Sequence, residues 1–165
     1  MSELRTNRIV PRDGLVSGAS GGVIQVVFFS LATGSTVTVN GTALVDVLTA
    51  TITPTRSDSK ILVQVTSAPK TNGGSANFQF GAQIQRNSTT IMYDNEYLQM
   101  NNGYAPNAFT GAYTVLDSPA STSALTYKFR CSRSGSGREL YFENSTDNTG
   151  NYYNKHTMTL MEISG

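Results

Sequence analysis

Apolar and polar side chains alternate with a period of two along much of this chain. Phe78, Phe80, Ala82 and Ile84 fall on one side, and Gln79, Gln83 and Gln85 on the other. Leu125, Tyr127, Phe129 and Cys131 alternate in the same way with Thr126, Lys128 and Arg130, and Ile61, Val63 and Val65 with Leu62, Gln64 and Thr66. Successive side chains of a strand point to opposite faces, so each segment predicts a half-buried β-strand. Residues 23–29, Val-Ile-Gln-Val-Val-Phe-Phe, are apolar with almost no alternation and predict a buried strand. Thr-Val-Thr-Val at 36–39 runs into Asn40-Gly41, which predicts a hairpin-type turn. Residues 89–93 read as the hairpin partner of 78–85 across Arg86-Asn87-Ser88, and 157–163 as a strand lying centrally in a sheet. Short strands separated by turns, with no helical period, predict an all-β fold. The expected architecture is a jelly-roll-like β-sandwich of about eight to nine antiparallel strands, spanning 23–165.

Residues 1–22 follow another pattern. Pro11 and Asp13-Gly14 interrupt any helix, and Ser17-Gly18-Ala19-Ser20-Gly21-Gly22 reads as a flexible joint. The segment therefore predicts an extended arm. Its apolar residues Leu4, Ile9, Val10, Leu15 and Val16 predict that it orders against a partner surface.

Composition narrows the function classes. Thr, Ser, Gly and Asn together make about 41% of the chain, while charged residues are only 14%. This argues against a helical bundle. A net charge of +1 offers no broad electrostatic handle for nucleic acid. The excess lies in the arm, where Arg5, Arg8 and Arg12 face Glu3 and Asp13; the remaining residues balance. No stretch approaches the roughly 20 apolar residues of a membrane-spanning helix, and Met1 to Arg5 does not open a signal peptide. Cytoplasmic synthesis without membrane insertion is expected.

Candidate chemistry is sparse. His156 is the single histidine, and its nearest carboxylate candidate in sequence is Asp147. No strand-turn-helix elbow presents a nucleophile, so His156 reads as a surface histidine at a strand end and the chain as a non-enzyme. Cys131 falls on the apolar side of its strand and reads as a buried small hydrophobe. No Cys/His cluster has zinc-ligand spacing, and no cofactor is expected. Two loops mix tyrosines with amides and acids, giving large contact area with adaptable hydrogen bonding. One carries Tyr93, Tyr97, Asn101, Asn102 and Tyr104, the other Asp147, Asn151, Tyr152 and Tyr153. These are the candidate contacts to a receptor or a glycan, with packing at the ends of the sandwich as the plainer reading.

The opening Leu4-Arg5-Thr6-Asn7-Arg8-Ile9-Val10-Pro11-Arg12-Asp13-Gly14, followed by Ser17-Gly18-Ala19-Ser20-Gly21-Gly22-Val23-Ile24-Gln25-Val26-Val27, resembles structural proteins of tailed bacteriophages, including cyanophages and other marine phages. Such proteins are described as tail-fibre or fibre-like virion components. The resemblance implies a β-rich head, usually trimeric, docked to other virion proteins by its N-terminal peptide. Leu4, Arg5, Arg8, Ile9, Val10 and Arg12 would then be the anchoring residues. The expected location is the virion, on the tail or decorating the capsid, with host attachment through the exposed head. The chain leaves no room for a fibre shaft, which points to a tip, a short spike or a decoration protein. The other reading is a carbohydrate-binding, lectin-like module.

Overall fold

The computed structural model describes residues 22–71, 79–94, 110–134, 139–146, 152–153 and 155–165. Its strands are β1 (Val23–Ser30), β2 (Thr36–Val39), β3 (Val45–Ile52), β4 (Lys60–Ser67), β5 (Lys70–Thr71), β6 (Gln79–Arg86), β7 (Thr89–Asp94), β8 (Gly111–Asp117), β9 (Leu125–Ser134), β10 (Leu140–Glu143), β11 (Ser145–Thr146), β12 (Tyr152–Tyr153) and β13 (Thr157–Ile163). Every pairing is antiparallel. Two four-stranded sheets, β1-β13-β4-β8 and β3-β9-β6-β7, form the sandwich, and a small sheet β2-β10-β5 extends one end.

The eight principal strands pair as a folded-over hairpin. The first meets the eighth (β1 with β13), the second the seventh (β3 with β9), the third the sixth (β4 with β8) and the fourth the fifth (β6 with β7). Rolling that long hairpin gives a jelly roll, as the strand pattern predicts. The strand at 157–163 is central, flanked by β1 and β4.

The alternating segments place their apolar sets inward as expected. Ile61, Val63 and Val65 of β4 face Phe80, Ala82 and Ile84 of β6 and Leu125, Tyr127, Phe129 and Cys131 of β9 across one buried core. Each large side chain removed from water there contributes about 1.5–3 kcal/mol. Phe129 packs against Tyr113 of β8 with ring centroids 5.3 Å apart, which ties the two sheets together.

Two expectations are corrected. Asn40-Gly41 does not close a hairpin, because β2 pairs with β10 while β3 pairs with β9. The turn instead hands the chain from the small sheet to the large one. Arg133 fastens it, donating its backbone N–H to the Gly41 carbonyl at 2.8 Å and its guanidinium to the Asn40 carbonyl at 2.8 Å. Strand β1, read as buried, is an edge strand, and of its apolar residues only Val27 and Phe29 turn to the core. Val23, Ile24, Val26 and Phe28 are exposed. Sequence registers how apolar a strand is, but not whether the same chain supplies a layer for each of its faces.

Residues 86–89 do form the predicted tight hairpin between β6 and β7. Asn87 adopts the left-handed conformation, φ 50°, that asparagine tolerates better than most residues. Its N–H donates to the Thr126 carbonyl at 2.7 Å, and its Oδ1 accepts the Thr126 N–H at 3.0 Å.

Candidate functional site

Strand direction sorts the loops into two ends. At one lie the start of β1, the ends of β3, β6, β8 and β13, and the starts of β4 and β9. The registers Val23 to Ile163, Ile163 to Lys60, Ile61 to Asp117 and Ile52 to Leu125 fix this. Gly22, where the arm joins, accepts the Ser164 N–H at 2.9 Å, so both termini of the sandwich share this end. At the other end lie Asp94 and Gly111, which bracket 95–110, together with the β11–β12 ladder, in which Ser145 pairs with Tyr153 and Thr146 with Tyr152. The two tyrosine-bearing segments therefore leave the body at one end and the arm at the opposite one.

Among the sequence candidates, Tyr93 is described in full. It sits near the end of β7 on the outward face of its sheet, exposed and beside Gln83. Tyr152 and Tyr153 are placed by their backbone pairing alone. Tyr97, Asn101, Asn102, Tyr104, Asp147 and Asn151 lie outside the described residues, as do the anchoring candidates Leu4, Arg5, Arg8, Ile9, Val10 and Arg12.

Around Tyr93 the outward face is polar, as the alternation predicts, and it is also internally bonded, which the sequence did not reveal. Asp46, Arg130, Gln83 and Tyr93 form one cross-strand row, and Thr49, Lys128, Gln85 and Thr90 run parallel to it. Arg130 Nε donates to Asp46 Oδ1 at 2.7 Å and Lys128 Nζ to Asp46 Oδ2 at 2.6 Å. The remaining guanidinium donors reach Gln83 and Gln85 Oε1 at 3.3 and 3.4 Å and the Leu44 carbonyl at 3.3 Å. Gln83 Nε2 in turn donates to Thr90 Oγ1 at 2.9 Å. Burial pushes the Asp46 carboxyl pKa up, but the bonds and charges of Lys128 and Arg130 outweigh it and hold it below the ordinary value. The outcome is a stiff amide and hydroxyl platform beside one exposed phenol. Such a surface can stack a flat apolar face and bond hydroxyls at its rim.

His156, read as a surface residue, is fully buried. Its Nδ1 accepts from Ser67 Oγ at 2.8 Å and from the Ala68 N–H at 3.3 Å, while Nε2 lies 3.2 Å from the Glu143 carbonyl. Only the neutral tautomer with its proton on Nε2 satisfies all three. The ring also meets Phe142 edge-on at 5.3 Å. Burial lowers its pKa, against a smaller upward pull from Glu143. These contacts make His156 a pin between β10, β13 and the end of β4, with no carboxylate among its hydrogen-bond partners. Imidazole NMR is expected to show the Nε2–H tautomer with a titration midpoint below 6.5, the ordinary value. Because the folded pKa is lowered, His156 contributes stability above that value and loses it as pH falls further. A midpoint at or above 6.5 would contradict this placement.

Cys131 is fully buried and its thiol is pushed up by desolvation, away from the reactive thiolate. Among the described residues, no group of three His, Cys, Asp or Glu side chains is placed to hold a metal ion. No family model matches the chain, and no curated protein matches it either.

Proposed function

We propose that this chain is a bacteriophage virion structural protein, a short fibre or spike head that docks through its N-terminal arm. In this reading the jelly roll faces outward for host attachment or surface decoration, as a homotrimer without catalytic activity. The virion assignment comes from the resemblance of residues 4–27. What supports it in the fold is the opposition of the two ends: the arm joins at Gly22, and the tyrosine-bearing segments leave from the far end. A protein that must be held at one end and touch something at the other needs this polarity. Arg5, Arg8 and Arg12 would supply charge to the docking, and Leu4, Ile9 and Val10 apolar contact.

Deleting residues 1–22 tests the docking. The expected outcome is a protein that keeps the β-sheet circular dichroism of the full chain and is absent from purified virions. Incorporation of the truncated chain at normal levels would refute the anchoring role.

One observation favours the second reading, a lectin-like module. Tyr93 stands exposed beside a platform of amides and hydroxyls, the chemistry that suits a sugar ring. Binding of a polysaccharide by the truncated body, lost in Tyr93→Ala, would support it.

A further inference from the structure

The outward face of β1-β13-β4-β8 carries an apolar row, beside rows of mostly Thr, Ser and Gln, where the other outward face is polar and charged. Register places Val26, Met161, Leu62 and Leu116 in one continuous row across all four strands. Two of its members are largely bare, Val26 at 56% and Leu116 at 53% exposed, and Phe28 in the adjoining row is 64% exposed. Val23 and Ile24 extend the patch along β1. A contiguous apolar surface of this kind marks a place where something docks.

Charge identifies the occupant. Outward positions alternate along each strand, and on these four strands Lys60, at the margin, is the one ionisable outward residue. The opposite sheet turns Asp46, Lys128 and Arg130 outward. Around a symmetry axis a surface meets its own copies, so charges of one sign would be brought together. A face of Val, Phe, Met, Leu, Thr and Gln meets itself without that cost. The sequence agrees, since Val23 to Phe29 has the composition of a strand covered on both sides while one chain covers a single side. Four strands of seven residues make a sheet face of about 19 by 23 Å, a footprint of about 440 Å². That is about half of the 800 Å² per partner of a standard interface, so side-chain relief and the exposed start of β1 have to supply the rest.

We propose that this face is where copies of the chain associate, burying the row of Val26, Met161, Leu62 and Leu116 between them. The inference rests on the homo-oligomeric part of the reading above and names its surface.

Sedimentation equilibrium of the full chain provides the test. The wild type is expected as a trimer, and V26K/L116K as a monomer with unchanged far-ultraviolet circular dichroism. Thr49→Lys, on the opposite sheet, is expected to stay trimeric. The milder V26T/F28T/L116T keeps strand-forming residues throughout and is expected to weaken association by about tenfold or more. It covers the case in which the lysine variant fails to fold. A monomeric wild type would overturn both the assembly and the surface. A trimer that survives both face variants would overturn the surface alone and leave the assembly standing.

Discussion

Asp117→Ala is expected to destabilise the protein by about 3–5 kcal/mol, the range for breaking a buried ion pair from one side. Asp117 ends β8 in one sheet, and its partners belong to the other. Arg86 of β6 donates Nη1 to both carboxylate oxygens at 2.7 and 2.6 Å, and Tyr127 of β9 donates its hydroxyl at 2.7 Å. The Arg86 side chain is four-fifths covered and Tyr127 is fully buried. Truncation leaves a cation and a phenol out of water with no acceptor. Burial and the neighbouring carboxylate both raise the Tyr127 pKa, so the phenol stays a donor at any ordinary pH. Asp117→Asn keeps one acceptor oxygen and should lose less, about 1–3 kcal/mol. The double variant D117A/R86L removes charge and counter-charge together, and urea titration should find it less destabilised than the sum of its parts. A loss under about 1 kcal/mol for Asp117→Ala would show that this bridge does not hold the sheets.

Glu162→Gln is expected to cost about 2–3 kcal/mol at neutral pH, because it turns an acceptor into a donor among donors. Glu162 points into the sandwich from β13 and is fully buried. Gln25 Nε2 donates to its Oε2 at 2.6 Å, and both the backbone N–H and the hydroxyl of Thr55 donate to Oε1 at 2.8 Å. Turning the new amide toward Thr55 sets it against two donors. Turning it toward Gln25 forces that side chain to flip and abandon its 2.7 Å bond to the Thr53 carbonyl. Burial would raise the carboxyl pKa, yet the bonds from Gln25 and Thr55 win and hold it at about 2, against an ordinary 4.5. A lowered folded pKa contributes stability that is complete above 4.5 and is lost as pH falls toward 2. Thermal denaturation from pH 5 to pH 2 should therefore show a steeper acid decline for the wild type than for Glu162→Gln. Equal slopes would mean that the buried carboxylate is not ionised in the fold.

Neither residue announces this role in the sequence. Glu162 stands near the end of an apolar strand, with nothing local to indicate whether it faces water. Its donors come from 137 and 107 positions away, so its burial exists only once β1, the 53–59 turn and β13 have met. His156 is similar, held by Ser67 from 89 positions upstream. By contrast, the sides taken by Phe80, Ala82 and Ile84 or by Tyr127, Phe129 and Cys131 are legible, because strand periodicity is local and the core rewards it. The order of the strands needs more than periodicity, and what points to the jelly roll is their number and the central place expected for 157–163. Of the candidate contact site, the sequence carries the residue types. The platform of Asp46, Lys128, Arg130, Gln83 and Gln85 beside Tyr93 was hidden, since it joins three strands that are remote along the chain.

The folded-over pairing also dictates when the molecule can fold. Strand β13 follows every other described strand in sequence yet fills the middle of its sheet, between β1 and β4. During synthesis β1 emerges before its one ladder partner has been made. The pairings are dominated by residues far apart along the chain, which places folding on the slow side of the range for small domains. Closure of the first sheet therefore waits until β13 has been made. Until then the apolar segment Val23 to Phe29 has neither an edge partner nor a core to cover it, and is open to pairing with another nascent chain. Loss of β13 by premature termination would not trim an edge; it would remove the strand that joins β1 to β4 and leave half of the sandwich without a centre.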